Sequence, residues 1–133
     1  MRRIAAAILA TALGVNGLVM LFAGRWWYAA VPGVIETGPY NAHFVMDIGA
    51  SYLVVAGALV WRAARPTAGQ GAVVAAGAYL VLHALIHLAH ATLCGRFGAE
   101  LVRDLPGVYL PTLITVWIAW PTRRLSLGRG DLT

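Results

Sequence analysis

Long stretches without a charged side chain constrain this sequence more than any other feature. Residues 4–24, 66–95 and 105–122 are uncharged over 21, 30 and 18 residues, respectively. At 1.5 Å of rise per residue, about 20 residues of helix cross a hydrocarbon core of ~30 Å. A fourth stretch, residues 41–61, is apolar apart from His43 and Asp47. The sequence therefore predicts four transmembrane helices, at residues 4–24, 41–61, 71–94 and 105–121.

Composition supports this interpretation and excludes several classes of protein. The chain has 133 residues, of which 60% are hydrophobic and 11% are charged, whereas a soluble domain is about a quarter charged. We therefore predict an all-α protein with a single transmembrane domain at residues 1–133, and we exclude a soluble enzyme and a disordered chain. The single cysteine excludes an internal disulfide and a four-cysteine zinc module.

The distribution of arginines predicts the orientation in the membrane. All ten cationic side chains are arginines, which lie singly or in pairs at the ends of apolar runs rather than in one patch, so we expect no nucleic-acid partner. If both termini are cytoplasmic, the cytoplasmic side holds Arg2, Arg3, Arg62, Arg65, Arg123, Arg124 and Arg129, and the outer side holds Arg25, Arg96 and Arg103. The positive-inside rule therefore predicts an antiparallel four-helix bundle in a bacterial inner membrane, with both termini in the cytoplasm.

Helix-breaking and capping residues support the predicted bounds. Pro39 followed by Asn41 predicts the start of the second helix, because asparagine is a good N-cap. Asp104 followed by Pro106 predicts the start of the fourth helix in the same way. Pro111 lies inside that helix and is expected to kink it, because proline has no backbone N–H.

Two predicted helices carry polar side chains in the outer half of the bundle. On the second helix, His43 and Asp47 are four residues apart and lie on one face. On the third helix, four polar side chains follow one another at spacings of four, three and four residues, so they lie on one narrow stripe. They are His83, His87, His90 and Cys94. Because adjacent spans run in opposite directions, Asp47 is expected at a similar depth to His87 and His90. Each buried ionisable group in a membrane costs energy, so this polar layer is a candidate functional site.

The first interpretation of the polar layer is a cofactor site. Imidazole and carboxylate ligands suit zinc or iron, and a thiol would favour copper(I) or zinc. The predicted cofactor-binding residues are His43, Asp47, His83, His87 and His90. The predicted metal ligands are His43, Asp47, His87 and His90, with Cys94 as a further candidate. A haem b held by two histidines is a variant of this prediction.

Two other interpretations stay open. In the second, the protein is a structural or accessory membrane subunit whose polar layer only fixes helix packing, with other membrane subunits or a second copy as its partner. In the third, histidine and aspartate form a proton or small-solute pathway, although the inner half lacks ionisable groups to complete one. No phosphate loop, elbow serine or pair of catalytic carboxylates supports hydrolytic or phosphoryl-transfer chemistry, and whether the protein is an enzyme stays open.

The whole chain resembles small four-span bacterial inner-membrane proteins of the DoxX-like kind in its length, its span count and its short loops. Residues 38–49, with the sequence GPYNAHFVMDIG, also resemble a motif of uncharacterised bacterial membrane proteins. This resemblance implies a four-helix membrane fold. It implies no activity and assigns no catalytic residue.

Overall fold

A computed structural model describes residues 1–121 of the chain, and this part contains helices and no strands. The α-helices are α1 (Arg2–Phe22), α2 (Gly24–Ala30), α3 (Ala42–Ala64), α4 (Gln70–Leu93), α5 (Phe97–Asp104) and α6 (Leu110–Ala119). A 3-10 turn, Val34–Thr37, lies between α2 and α3, and a π-helical turn, Leu105–Tyr109, joins α5 to α6. The predicted cytoplasmic residues Arg123, Arg124 and Arg129 lie outside the described residues.

Four segments are long and apolar enough to cross a membrane, as the uncharged stretches predict. They are α1, α3, α4 and the continuous helix Phe97–Ala119, which consists of α5, the π-helical turn and α6. The first three begin and end within three residues of the predicted bounds. The fourth begins at Phe97 rather than at residue 105, because the helix continues through the charged residues of α5.

The start of α3 follows from its capping residue. Asn41 has an extended backbone, and its side-chain oxygen accepts a hydrogen bond from the N–H of Phe44 at 3.1 Å. This bond satisfies one of the N–H groups that the first turn of a helix leaves without a partner. The prediction of an N-cap at Asn41 is confirmed.

The closest contact between helices joins α1 to α3 and depends on two glycines. A Cβ atom added to Gly17 would lie 2.7 Å from the carbonyl oxygen of Gly49, and one added to Gly49 would lie 2.8 Å from the Cβ of Met20. Because neither glycine has a side chain, the two backbones approach closely. The buried core around this contact includes Leu9, Leu13, Met20, Val45, Val55 and Leu59.

Polar contacts show which helix ends lie together. Arg2 donates to the carbonyl of Trp120, Arg3 donates to the carbonyl of Ala63, and Gln70 donates to the carbonyl of Ala119. We call this end of the molecule, which holds the start of α1 and the ends of α3 and α6, the terminal end. At the opposite end, which we call the α5 end, Glu36 pairs with Arg96 at 3.0 Å.

The fourth span departs from a regular helix just before Pro111. Proline lacks the N–H that a regular helix needs, and its ring crowds the preceding turn. The N–H of Leu110 bonds to the carbonyl of Leu105, which is the wider, i to i+5 pattern of a π-helix. Beyond this turn, the hydroxyl of Thr112 lies 3.2 Å from the carbonyl oxygen of Leu80 in α4, so α6 is tied to α4.

Candidate functional site

A buried carboxylate on α5 meets a histidine on α4. Asp104 is only 9% exposed, and its two oxygens have different partners. One oxygen accepts a hydrogen bond from Nε of Arg103 at 2.9 Å, and the other lies 2.7 Å from Nδ1 of His87. An ionised carboxylate can only accept hydrogen bonds, so Nδ1 of His87 carries the hydrogen and donates it. In a neutral imidazole this leaves Nε2 with a free lone pair that can take up a proton.

A second histidine continues the contact along α4. His83 lies one helical turn from His87, and the two ring centroids are 4.8 Å apart. Nε2 of His83 lies 3.4 Å from the hydroxyl oxygen of Tyr52, which is a buried residue near the midpoint of α3. The ring of Tyr79 stacks on His83 with a centroid distance of 6.1 Å. We call the chain of contacts formed by Asp104, His87, His83 and Tyr52 the polar relay.

A network of opposite charges surrounds the start of the polar relay. Glu100 is only 4% exposed and lies 3.8 Å from Arg96 and 3.9 Å from Arg103. Glu36 pairs with the same two arginines from the loop before α3. With Asp104 included, the network holds three carboxylates and two guanidinium groups. One negative charge is therefore left over, and a protonated His87 would neutralise it.

The other predicted site residues lie elsewhere. His43 and Asp47 pair with each other at 3.4 Å, one turn apart on α3, and their side chains are 89% and 64% exposed. His90 and Cys94 form a second exposed pair at the end of α4, with Nε2 of the ring 3.6 Å from the sulfur atom. The structure thus brings His83 and His87 together, and the carboxylate that contacts His87 is Asp104.

Comparison with protein-family models, curated proteins and solved structures finds no match. The resemblance to DoxX-like proteins therefore stays a prediction.

The predicted metal ligands do not form one group. Within residues 1–121, no three side chains of histidine, cysteine, aspartate or glutamate converge in the way that a metal site requires. His43 and Asp47 lie on the exposed surface of α3, whereas His87 is paired with Asp104. A structural zinc site needs four such ligands and a catalytic one needs three. In this part of the chain the metal prediction is left without a converging set of ligands, and the haem b prediction stays a prediction.

Sequence reasoning missed Asp104 because it treated this residue as a helix cap at the end of a charged loop. In the structure, Glu100 and Asp104 lie four residues apart on the buried face of α5, while Val102 is exposed on the other side. This spacing places both carboxylates on one face of a helix. An amphipathic pattern over residues 97–104 was the signal that could have revealed the helix and its buried charges.

Proposed function

We propose that the protein is an antiparallel four-helix bundle of the bacterial inner membrane, with both termini in the cytoplasm, and that the polar relay takes up protons from the outer side. The single observation that carries this proposal is the partly buried contact of Asp104 with His87, which is continued through His83 to Tyr52. Imidazole gains and loses a proton near neutral pH, which makes histidine the side chain of choice for accepting protons from solution.

The orientation rests on the arginines at the two ends. Within the described residues, the terminal end carries Arg2, Arg3, Arg62 and Arg65, and the α5 end carries Arg25, Arg96 and Arg103. The sequence adds three more arginines after residue 121, following the last span. The positive-inside rule therefore favours a cytoplasmic terminal end, which makes the α5 end periplasmic.

We expect single cysteines at residues 62–71, which comprise the loop between α3 and α4 and the adjoining helix ends, to react with a membrane-impermeant thiol reagent only from the cytoplasmic side. The background is Cys94→Ser, because Cys94 is exposed. A cysteine in place of Thr37, at the α5 end, is the matched control and should react only from outside. Labelling of the 62–71 loop in intact spheroplasts would contradict the proposed orientation.

The contacts of the polar relay allow a proton to move inward in steps. His87 takes up a proton on Nε2 while its Nδ1–H stays bonded to Asp104. The ring of His83 is the next acceptor, since the two rings are in edge-to-face contact with their centroids 4.8 Å apart. Tyr52 then receives a hydrogen bond from, or donates one to, Nε2 of His83.

The polar relay opens at one side only. Between the level of Tyr52 and the terminal end, the described residues include no histidine, aspartate or glutamate. That half of the molecule is filled by apolar side chains such as Val55, Leu59, Val73 and Ile118. A proton taken up from the α5 end therefore stops near the middle of the bundle. This favours a proton-binding site that responds to outside pH over a channel that conducts protons across the membrane.

We expect His83 to exchange its ring proton with solvent through His87. In protein labelled with 15N-histidine in detergent micelles, the exchange rate of the His83 ring proton is read from the ring 15N resonances. In His87→Phe, exchange of the His83 ring proton should slow by about 100-fold, the lower range of what a positioned proton-transfer group contributes.

His90→Phe is the matched control for this measurement, because His90 lies on the same helix but is exposed, and its ring nitrogen contacts Cys94. It should leave the exchange rate of His83 unchanged. If His87→Phe leaves the rate unchanged as well, solvent reaches His83 by another route and the proposal is wrong.

A second candidate function is the structural or accessory subunit. It is favoured by the pairing of Glu36 with Arg96 and Arg103, which ties α5 to the loop before α3 without involving a histidine. Under this alternative, His87→Phe would lower thermal stability and leave the exchange rate of the His83 ring proton as it is in the wild type. The NMR experiment therefore distinguishes the two functions.

A further inference from the structure

One exposed face of α3 has the spacing of a helix-pairing surface. Counting from the start of the helix, this face holds His43, Asp47, Ala50, Val54, Gly57 and Trp61, at spacings of four, three, four, three and four residues. All six residues are exposed. An alternation of four and three residues keeps side chains in line along a helix, and it is the pattern by which two helices pack side by side. We call these six residues the α3 seam.

The polar part of the α3 seam has only a local partner. The Asp47 side chain is 64% exposed, and the side-chain contact that the structure gives its carboxylate is with His43 at 3.4 Å, on the same helix. Asp47 lies within a segment that is long and apolar enough to cross a membrane. An aspartate that faces lipid is unfavourable, whereas one that faces another protein helix can be paired. We therefore expect another protein helix, and not lipid, to cover the α3 seam.

The apolar part of the α3 seam leaves room for a second helix. A Cβ atom added to Gly57 would meet nothing within 4 Å, so no contact inside this chain requires a glycine there. Glycine in the middle of a helix is less favourable than alanine by about 1 kcal/mol. Small residues such as Ala50 and Gly57 allow close approach of helices in membranes, and Val54 and Trp61 alternate with them.

We propose that the α3 seam pairs with the α3 seam of a second copy of this chain, related by a two-fold axis along the membrane normal. This inference goes beyond the polar relay and rests only on the proposed membrane-spanning bundle. A two-fold axis in that direction brings residues of equal depth together. The seam suits such pairing because it carries a hydrogen-bond donor and an acceptor at neighbouring depths.

Charge complementarity explains why the occupant is a second copy. In the paired arrangement, two imidazoles and two carboxylates alternate around the axis, so each Asp47 has His43 of its own chain on one side and His43 of the second copy on the other. Below this ring, each Val54 faces Val54 of the second copy next to the space left by Gly57. The two α3 helices are then parallel and cross at about 20°, the angle of left-handed helix pairs.

Cysteine cross-linking in native membranes tests this proposal. In a Cys94→Ser background, Val54→Cys lies on the seam, and Val60→Cys is exposed on the same helix but lies off the seam. We expect mild oxidation to convert Val54→Cys into a disulfide-linked dimer of twice the chain mass and to leave Val60→Cys monomeric. The proposal is wrong if neither variant forms a dimer, or if both do so to the same extent.

Charge variants test the polar part of the pairing. We expect Asp47→Asn to lower the dimerisation constant in detergent by about 3- to 20-fold, the range for single polar contacts between membrane helices. The exchanged pair His43→Asp/Asp47→His should restore dimerisation, since it keeps one imidazole and one carboxylate per copy. EDTA should have no effect. A wild-type chain that stays monomeric, or that cross-links at Val54→Cys only to a different protein, would overturn the proposal.

Discussion

Gly17→Ala will lower the free energy of unfolding by about 1–3 kcal/mol relative to Gly14→Ala, the range for forcing an extra methyl group into a packed contact. The new Cβ would lie 2.7 Å from the carbonyl oxygen of Gly49 and 3.1 Å from the side chain of Leu53. The first of these neighbours is backbone, so the methyl group can be accommodated only if α1 and α3 move apart. This contact lies in the closest helix pair of the described structure. Separating α1 from α3 therefore also loosens the packing of the core side chains around it.

Gly14→Ala is a close control, because Gly14 lies one turn earlier on the same helix and also faces α3. Its new Cβ would lie 3.5 Å from the Cβ of Ala56, which is an ordinary van der Waals distance. Both changes gain the same helix propensity, so this gain cancels in the comparison. Unfolding followed by circular dichroism in a mild detergent measures the difference. Equal midpoints for the two variants would show that α1 and α3 are not in close contact at Gly17.

Asp104→Asn is expected to lower the free energy of unfolding by about 1–3 kcal/mol, the cost of leaving charged hydrogen-bonding groups without their partner. The change removes the charge that Arg103 and His87 share, while its volume and shape are nearly preserved. Arg103 and His87 are partly exposed, at 24% and 33% of their side chains, so water offsets part of the loss. The same variant should also change the 15N resonances of His87, because its Nδ1–H loses the ionised acceptor.

Glu36→Gln makes the same chemical change on the other side of Arg103. Glu36 is 48% exposed, and exposed ion pairs contribute about 0–1 kcal/mol. It should therefore have a small effect on unfolding and none on the histidine resonances. If Glu36→Gln is as destabilising as Asp104→Asn, the charge network contributes to stability as one unit. The burial of Asp104 would then not explain the loss of stability in Asp104→Asn.

The helices could be predicted because the feature that makes each segment span a membrane, its length without charge, lies within that segment. An uncharged stretch of sufficient length predicts a spanning helix, and α1, α3 and α4 lie where these stretches place them. The fourth span was predicted to begin too late, at residue 105 instead of Phe97. The prediction took charged residues to lie outside a spanning helix, and in α5 they lie inside it. Glu100, Arg103 and Asp104 are tolerated in a helix because they neutralise one another, which depends on tertiary contacts with Glu36 and His87.

The site was predicted in part for the same reason. The periodicity of α4 places His83 and His87 on one stripe, and the structure brings these two rings together. The choice of Asp47 as their carboxylate partner rested on depth alone. Depth does not determine rotation about the helix axis, and α3 turns Tyr52 towards α4 while Asp47 stays exposed. The rotation is fixed by the close contact of Gly49 with α1, which a single sequence does not reveal.

The π-helical turn at Leu105–Tyr109 determines how the fourth span responds to changes in chain length. A wide turn of this kind accommodates one residue more than a regular helix would. Loss of one residue within the turn would therefore restore a regular helix and leave α5 and α6 facing as they do now. Loss of one residue from the regular helix between the turn and the contact with Leu80 would instead rotate α5 by about 100°, the angle that one residue subtends, and turn Asp104 away from His87. The contact of Asp104 with His87 thus tolerates a single-codon deletion inside the turn and not one in the regular helix beside it.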